Sequence, residues 1–233
     1  MARKIGNVRQ GPHGEEMWNG KQWTRSPAEN SPVRLKPTTS PSVEPYSMED
    51  AQTIFQALLT ILDPEPSRGG LVETPARAAK AWSHWTSGYG IDPKDVLKVF
   101  EDGASGCDQM VVVKDIPFYS HCEHHLAPIF GTATVGYLPN GKIVGLSKLN
   151  RLVMIFARRL QVQERMTNQI ADALMTNLTP KGVGVVITAR HFCMESRGIQ
   201  HQGCQTVTSA LLGEFRDDAT VRGEFLSLAR NGK

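Results

Sequence analysis

The chain has 233 residues, four cysteines and a formal net charge of +3, with 40% of its residues hydrophobic. That length can bury one substantial core, and no run approaches the roughly 20 apolar residues of a membrane helix, so a soluble chain without membrane contact is expected. So small a positive balance gives no footprint for nucleic acid. The basic amino terminus lacks the apolar segment of a secretory signal, which favours a cytoplasmic setting with reduced thiols.

Residues 1–46 are rich in Pro, Ser, Gly, Asn and charge and show little apolar periodicity. They are read as a flexible extension in which Trp18 and Trp23 are candidate anchors for a partner. A helical region is expected over 47–109. Ser47 caps a helix whose Met48, Ile54, Phe55, Leu58, Leu59 and Leu62 recur at helical spacing. Thr74-Pro75 opens a second helix that runs to Trp85 and carries Arg77 and Lys80 on one face, either as a solvated surface or as a phosphate contact.

The remaining segment, 110–233, carries the chemistry. Met110 to Val113 begins a strand that leads through Ile116-Pro117 to His121-Cys122-Glu123-His124-His125. Phe130 to Tyr137 and Lys142 to Leu146 are expected to form a hairpin about the Pro139-Asn140-Gly141 turn. Ser147 is the expected cap of a helix with Leu149, Leu152, Val153 and Phe156 on its apolar stripe and Lys148, Arg151, Arg158 and Arg159 as its cations. Gln163 opens another helix, which stops before Pro180. Val183 to Thr188 is a buried strand delivering His191-Phe192-Cys193, and Thr206 to Leu212 is a further strand. The expected class is α+β.

The pentad puts a thiol, a carboxylate and three imidazoles in one short segment, a polarity that a packed core does not accept without partners. Cys and His are preferred zinc ligands, and a second Cys-His pair at His191 and Cys193 could complete a site. Cys122, Cys193 and one histidine would leave zinc an open position, as hydrolysis requires, with at least two histidines remaining for acid and base work. An oxidised Cys122–Cys193 pair is the alternative after zinc loss. His13, His84 and Cys107 stand alone and read as ordinary packing or surface residues. The HExxH spacing is absent, and His121-Cys122-Glu123 matches the H-x-E element of nucleobase deaminases without their P-C-x-x-C partner.

Ser120 to His125, Gly145-Leu146-Ser147-Lys148-Leu149, Gln161 to Arg165, His191-Phe192-Cys193 with Arg197-Gly198, and Thr206 to Ser209 together resemble type I GTP cyclohydrolase, over a stretch from about Met48 to the carboxyl terminus. The resemblance implies a tunnelling fold with an antiparallel sheet and packed helices, assembled as a barrel. It further implies conversion of GTP and water to formate and 7,8-dihydroneopterin triphosphate, the first step of pterin and folate-type biosynthesis. It makes Cys122, His125 and Cys193 the ligands of Zn²⁺ and His124 and His191 the proton-transfer residues. Glu164, helped by Gln163, would read the guanine edge, and Ser147, Lys148, Arg151, Arg197, Arg77 and Lys80 would bind the rest of GTP, its triphosphate above all. A homodecamer with sites between subunits is implied, with a regulatory protein as a candidate partner and allosteric control. His121 stands where many members carry Met, and Cys204 where Ser is common. Two other classes stay open: a deazaguanine nitrile reductase of the same broad fold, and a noncatalytic zinc module.

Overall fold

The computed structural model describes residues 8–11, 14–18, 23–25, 47–101, 104 and 106–230. The chain divides into two units, Met1–Tyr46 and Ser47–Lys233. In the first, strands β1 (Val8–Gly11), β2 (Gly14–Trp18) and β3 (Trp23–Arg25) form an antiparallel meander in which Trp18 lies opposite Trp23. The rest of the sequence-predicted extension, with His13, lies outside the described residues.

The second unit opens with α1 (Met48–Leu62) and α2 (Thr74–Trp85). Ser47 caps α1 as expected: its hydroxyl accepts from the Asp50 N–H at 3.0 Å while the Asp50 carboxylate accepts from the Ser47 N–H at 3.1 Å. No residue of α1 is buried, and Ile54, Leu58, Ile61 and Leu62 remain exposed. On α2 the cap falls at Glu73, one residue ahead of the expected Thr74. A 3-10 turn (Ser87–Gly90), α3 (Pro93–Val96) and β4 (Val99–Phe100) lead to β5 (Val111–Cys122), β6 (Pro128–Leu138) and β7 (Ile143–Val144). Then follow α4 (Leu146–Ala157), β8 (Leu160–Gln161), α5 (Gln163–Leu178), β9 (Gly182–His191), α6 (Phe192–Glu195), β10 (Thr206–Gly213), α7 (Glu214–Asp217) and α8 (Ala219–Arg230).

Five strands make the main sheet in the order β10-β9-β6-β5-β8. All its pairs are antiparallel except β5 with β8. Helices α4 and α5 cover one face. Leu149, Leu152, Met166, Ile170 and Leu174 are fully buried there with Ala133, Val135, Val185 and Ile187 in one core. The other face receives α8 through Phe225, which lies 2.9 Å from a Cβ built on Gly136 and 2.6 Å from one on Gly184. Bare glycines on β6 and β9 therefore make the seat for this ring, whose burial contributes about 1.5–3 kcal/mol.

The expected hairpin does not form. Strand β6 is already paired with β5 on one side and β9 on the other, which leaves Ile143–Val144 no ladder to join. That segment pairs instead with β4, and the Val144 N–H donates to the Tyr137 hydroxyl at 3.2 Å. Nor does Ser147 cap α4: the cap falls two residues earlier, at Gly145, and Ser147 lies exposed in the first turn of the helix.

Strand β5 contains a bulge. Val113 pairs with Val135 and Ile116 with Ala133, so Lys114 and Asp115 together face Thr134, and Asp115 adopts a left-handed φ of 53°. Before the bulge Val111 and Val113 pack toward the core; after it Ile116, Phe118 and Cys122 do.

Candidate metal centre

The end of β5 and the short turn to β6 fix the pentad. The Leu126 and Cys122 N–H groups donate to Cys122 O and Ala127 O, each at 2.8 Å, and Leu126 takes a left-handed φ of 54°. Across the sheet, β9 ends at His191, and the single turn of α6 carries Cys193. The Arg190 Nε donates to Glu195 at 2.8 Å and ties that turn back to the strand.

Cys122, His125 and Cys193 offer one donor atom each, and these atoms lie within 4.8 Å of one another. Cys122 is buried, His125 exposed and Cys193 between the two. The Cys122 sulfur is 3.8 Å from Nδ1 of both His125 and His124, yet only His125 joins the three-donor group. Burial, and then the Cys122 sulfur beside it, push the Cys193 thiol up; Arg197 acts weakly in the opposite sense. Two neighbouring thiolates are therefore costly without a cation, and two sulfurs with one imidazole are a donor set that fits zinc with a place left for water.

His121 does not enter the cluster. It is buried on the other side of β5, its ring 4.8 Å from that of Trp82 and 4.6 Å from that of Trp85. His124 is exposed, with Nε2 3.8 Å from the Glu123 carboxylate. His191 is half-buried; burial lowers its pKa, and Glu164 opposes this in part. Its Nε2 meets Gln163 Oε1 at 2.7 Å.

Glu123 and Arg165 form an ion pair between the pentad and α5, and Arg165 Nε also donates to Gln161 Oε1 at 3.2 Å. The Glu123 N–H donates to Gln161 O at 3.1 Å. The sequence reading places the Glu123 carboxylate in the pentad and Arg165 in the Gln161 to Arg165 motif, and only the fold shows that these two charges meet. Glu164 is exposed at the start of α5. Ser147, Arg151, Arg77 and Lys80 are exposed and Lys148 is half-buried. Arg77 pairs with Glu73 one turn away, and among the described residues the side chains of Lys148, Arg151 and Lys80 make no hydrogen bond or ion pair to the three-donor group.

The sequence pattern of GTP cyclohydrolase I matches residues 51–230. The chain belongs to the GTP cyclohydrolase I family. A GTP cyclohydrolase 1 from Janthinobacterium sp. (strain Marseille) is 63% identical over 185 residues, which cover 79% of this chain and 91% of that protein. One from Nitrosospira multiformis is 59% identical over 177 residues, 76% of this chain and 93% of the relative. Among solved structures, the archaeosine synthase QueF-Like in the apo form aligns with 45% of the chain and 93% of its own, at 16% identity and a TM-score of 0.36, too slight a likeness to bear on the fold. The GTP cyclohydrolase I match spans α1 to α8 and so includes every residue of the cluster.

Proposed function

We propose that this GTP cyclohydrolase opens the guanine imidazole ring of GTP hydrolytically, giving formate and 7,8-dihydroneopterin triphosphate as the first step of pterin and folate-type biosynthesis. The convergence of Cys122 from the end of β5, His125 from the turn after it and Cys193 from α6 is the observation that carries this reading. These three residues would hold Zn²⁺, and the ion would supply Lewis-acid activation of the water needed at the guanine C8 position.

His124 and His191 flank the donor set in sequence, and imidazole is the side chain suited to acid and base work, so proton transfer during ring opening and deformylation falls to them. Glu164 has an exposed carboxylate able to accept from the N–H groups of the guanine edge. Arg197, whose charge is felt at Cys193, lies on the cluster's side, and with Ser147, Lys148 and Arg151 it supplies cations and donors for the triphosphate; Arg77 and Lys80 extend that set.

The exposed apolar residues of α1 and the free edge of β10 support assembly into a closed ring of copies, a homodecamer with sites between subunits. Such a ring would bring the cations of α2 and α4 to a neighbour's zinc, and it offers surfaces for a regulatory protein and allosteric control. No described helix is long and apolar enough to cross a membrane, and cytoplasmic GTP suits the chain's free thiols.

Incubation with GTP, following formate release and pterin fluorescence with and without a zinc chelator, tests the reading. Both products should appear and both should be lost on chelation. Intact GTP together with NADPH consumption on a deazaguanine nitrile would overturn it.

A further inference from the structure

Gln163 is the first residue of α5 and is 1% exposed. Its amide nitrogen lies 3.1 Å from Ile187 O, 3.0 Å from Thr206 O and 3.1 Å from Thr208 Oγ1. Backbone carbonyls only accept, so the atom facing them is the NH₂ group, whose two hydrogens are shared among three acceptors. The other amide atom is then the oxygen, which only accepts. It faces His191 Nε2 at 2.7 Å, so that ring nitrogen carries the hydrogen.

The surroundings lock this orientation. Thr167 Oγ1 donates to Gln163 O at 2.7 Å and lies 2.7 Å from Thr208 Oγ1. With its own hydrogen committed to Gln163 O, Thr167 accepts from Thr208, and Thr208 accepts from the Gln163 amide. The chain of donors runs one way, and a flipped amide would set its oxygen against two carbonyl oxygens.

We propose that Gln163 is a positioning residue for His191: it fixes the ring's orientation and its Nε2–H tautomer, leaving Nδ1 as the nitrogen that exchanges the proton with the reacting purine. The polar atoms of the Gln163 side chain are consumed inside the protein, so reading the guanine edge is left to Glu164. The proposal rests on the proton-transfer role of His191. A wrong tautomer places a hydrogen where a lone pair is needed, and such an error acts on turnover rather than on substrate affinity.

The test is a double-mutant cycle on the zinc-loaded, assembled enzyme, with kcat and KM for GTP, zinc content and thermal midpoint measured for wild type, Gln163→Leu, His191→Ala and the pair. Gln163→Leu should lower kcat by about 100-fold or more, keep KM within about threefold, and retain zinc. In the His191→Ala background the same change should alter kcat less than about threefold, because the residue it acts through is gone. A raised KM with kcat held would mean a guanine contact and overturns the proposal. An equal loss in both backgrounds would mean a purely structural role and also overturns it. Normal turnover by His191→Ala alone would show that the proton-transfer assignment had failed first. Should Gln163→Leu fail to fold, Gln163→Asn keeps a buried amide for the carbonyls while withdrawing its oxygen from His191, and is read by the same criteria.

Discussion

Two thiols close enough to share one ion repel once both have lost their protons, so Cys122 and Cys193 are stable together as thiolates only beside a cation. Cys193→Ser should therefore lose zinc and turnover together, with metal content near zero by elemental analysis. Full activity at undiminished zinc content would remove Cys193 from the site. His124→Ala is expected to differ: zinc stays while kcat falls about 10²- to 10⁴-fold, as for a proton-transfer group. Loss of metal in that variant would move His124 into the ligand shell, a real alternative given its 3.8 Å approach to the Cys122 sulfur. At this scale the sequence was informative wherever residue type restricts the chemistry. The crowding of Cys and His pointed to metal, and the structure brings the named donors together. Which way a side chain turns was not legible: His121 is as good a ligand type as His125, and only the packing of Trp82 and Trp85 shows that it faces away. The pairing of Glu123 with Arg165 and the contacts of Gln163 were equally out of reach, because each joins residues far apart in the chain.

Strand β6 is the element on which the site's geometry depends, since it separates the strand that ends in Cys122 from the strand that ends in His191. Gly131 pairs with Phe118 on one side and Ala189 on the other, and a Cβ there would sit 2.0 Å from Thr188 O and 2.6 Å from Ala189 Cα. Backbone cannot retreat as a side chain can. Gly131→Ala should cost about 3 kcal/mol, lower the thermal midpoint by about 10 °C and reduce zinc occupancy, although the glycine touches no ligand. Unchanged stability and zinc content would show that β6 and β9 can part without disturbing the site. Strands with long apolar runs and helices with sharp stops were legible as elements. Their partners were less so, and the expected hairpin erred on pairing rather than on propensity. The sequence reading ended at Leu212 and missed α8, although Val221, Phe225 and Leu228 recur there at helical spacing; Gly223 interrupts the segment and Phe225 is its one buried residue.

At the scale of the whole molecule, every residue of the proposed site lies in Ser47–Lys233, and the family match begins at residue 51. A chain cut before Tyr46 keeps the Ser47 amide as a donor to Asp50 and so preserves the capping box. It should retain zinc and turn GTP over within about twofold of the full chain, with the same number of copies per assembly. A large loss of activity or a change in assembly would give the amino-terminal meander a part in the enzyme itself. That meander was not foreseen, since residues 1–46 lack the alternation that marks a half-buried strand. The α+β class, the strand-helix order and the element ends that carry the three donors followed from local pattern. Assembly is a property of surfaces, and what a single chain offers it is the apolar residues that α1 leaves uncovered and the edge position of β10.

The extra residue in β5 has a consequence for how this chain can vary. Counting by twos from Val111 and Val113 would set His121 inward and Cys122 outward; the bulge at Lys114-Asp115 absorbs one residue and reverses that assignment. Loss of Asp115 would only straighten the strand and leave Ile116 opposite Ala133. Loss of any residue from Pro117 to Ser120 would instead put Cys122 in the place now held by His121, so the register after the bulge decides whether sulfur or imidazole faces the other two donors.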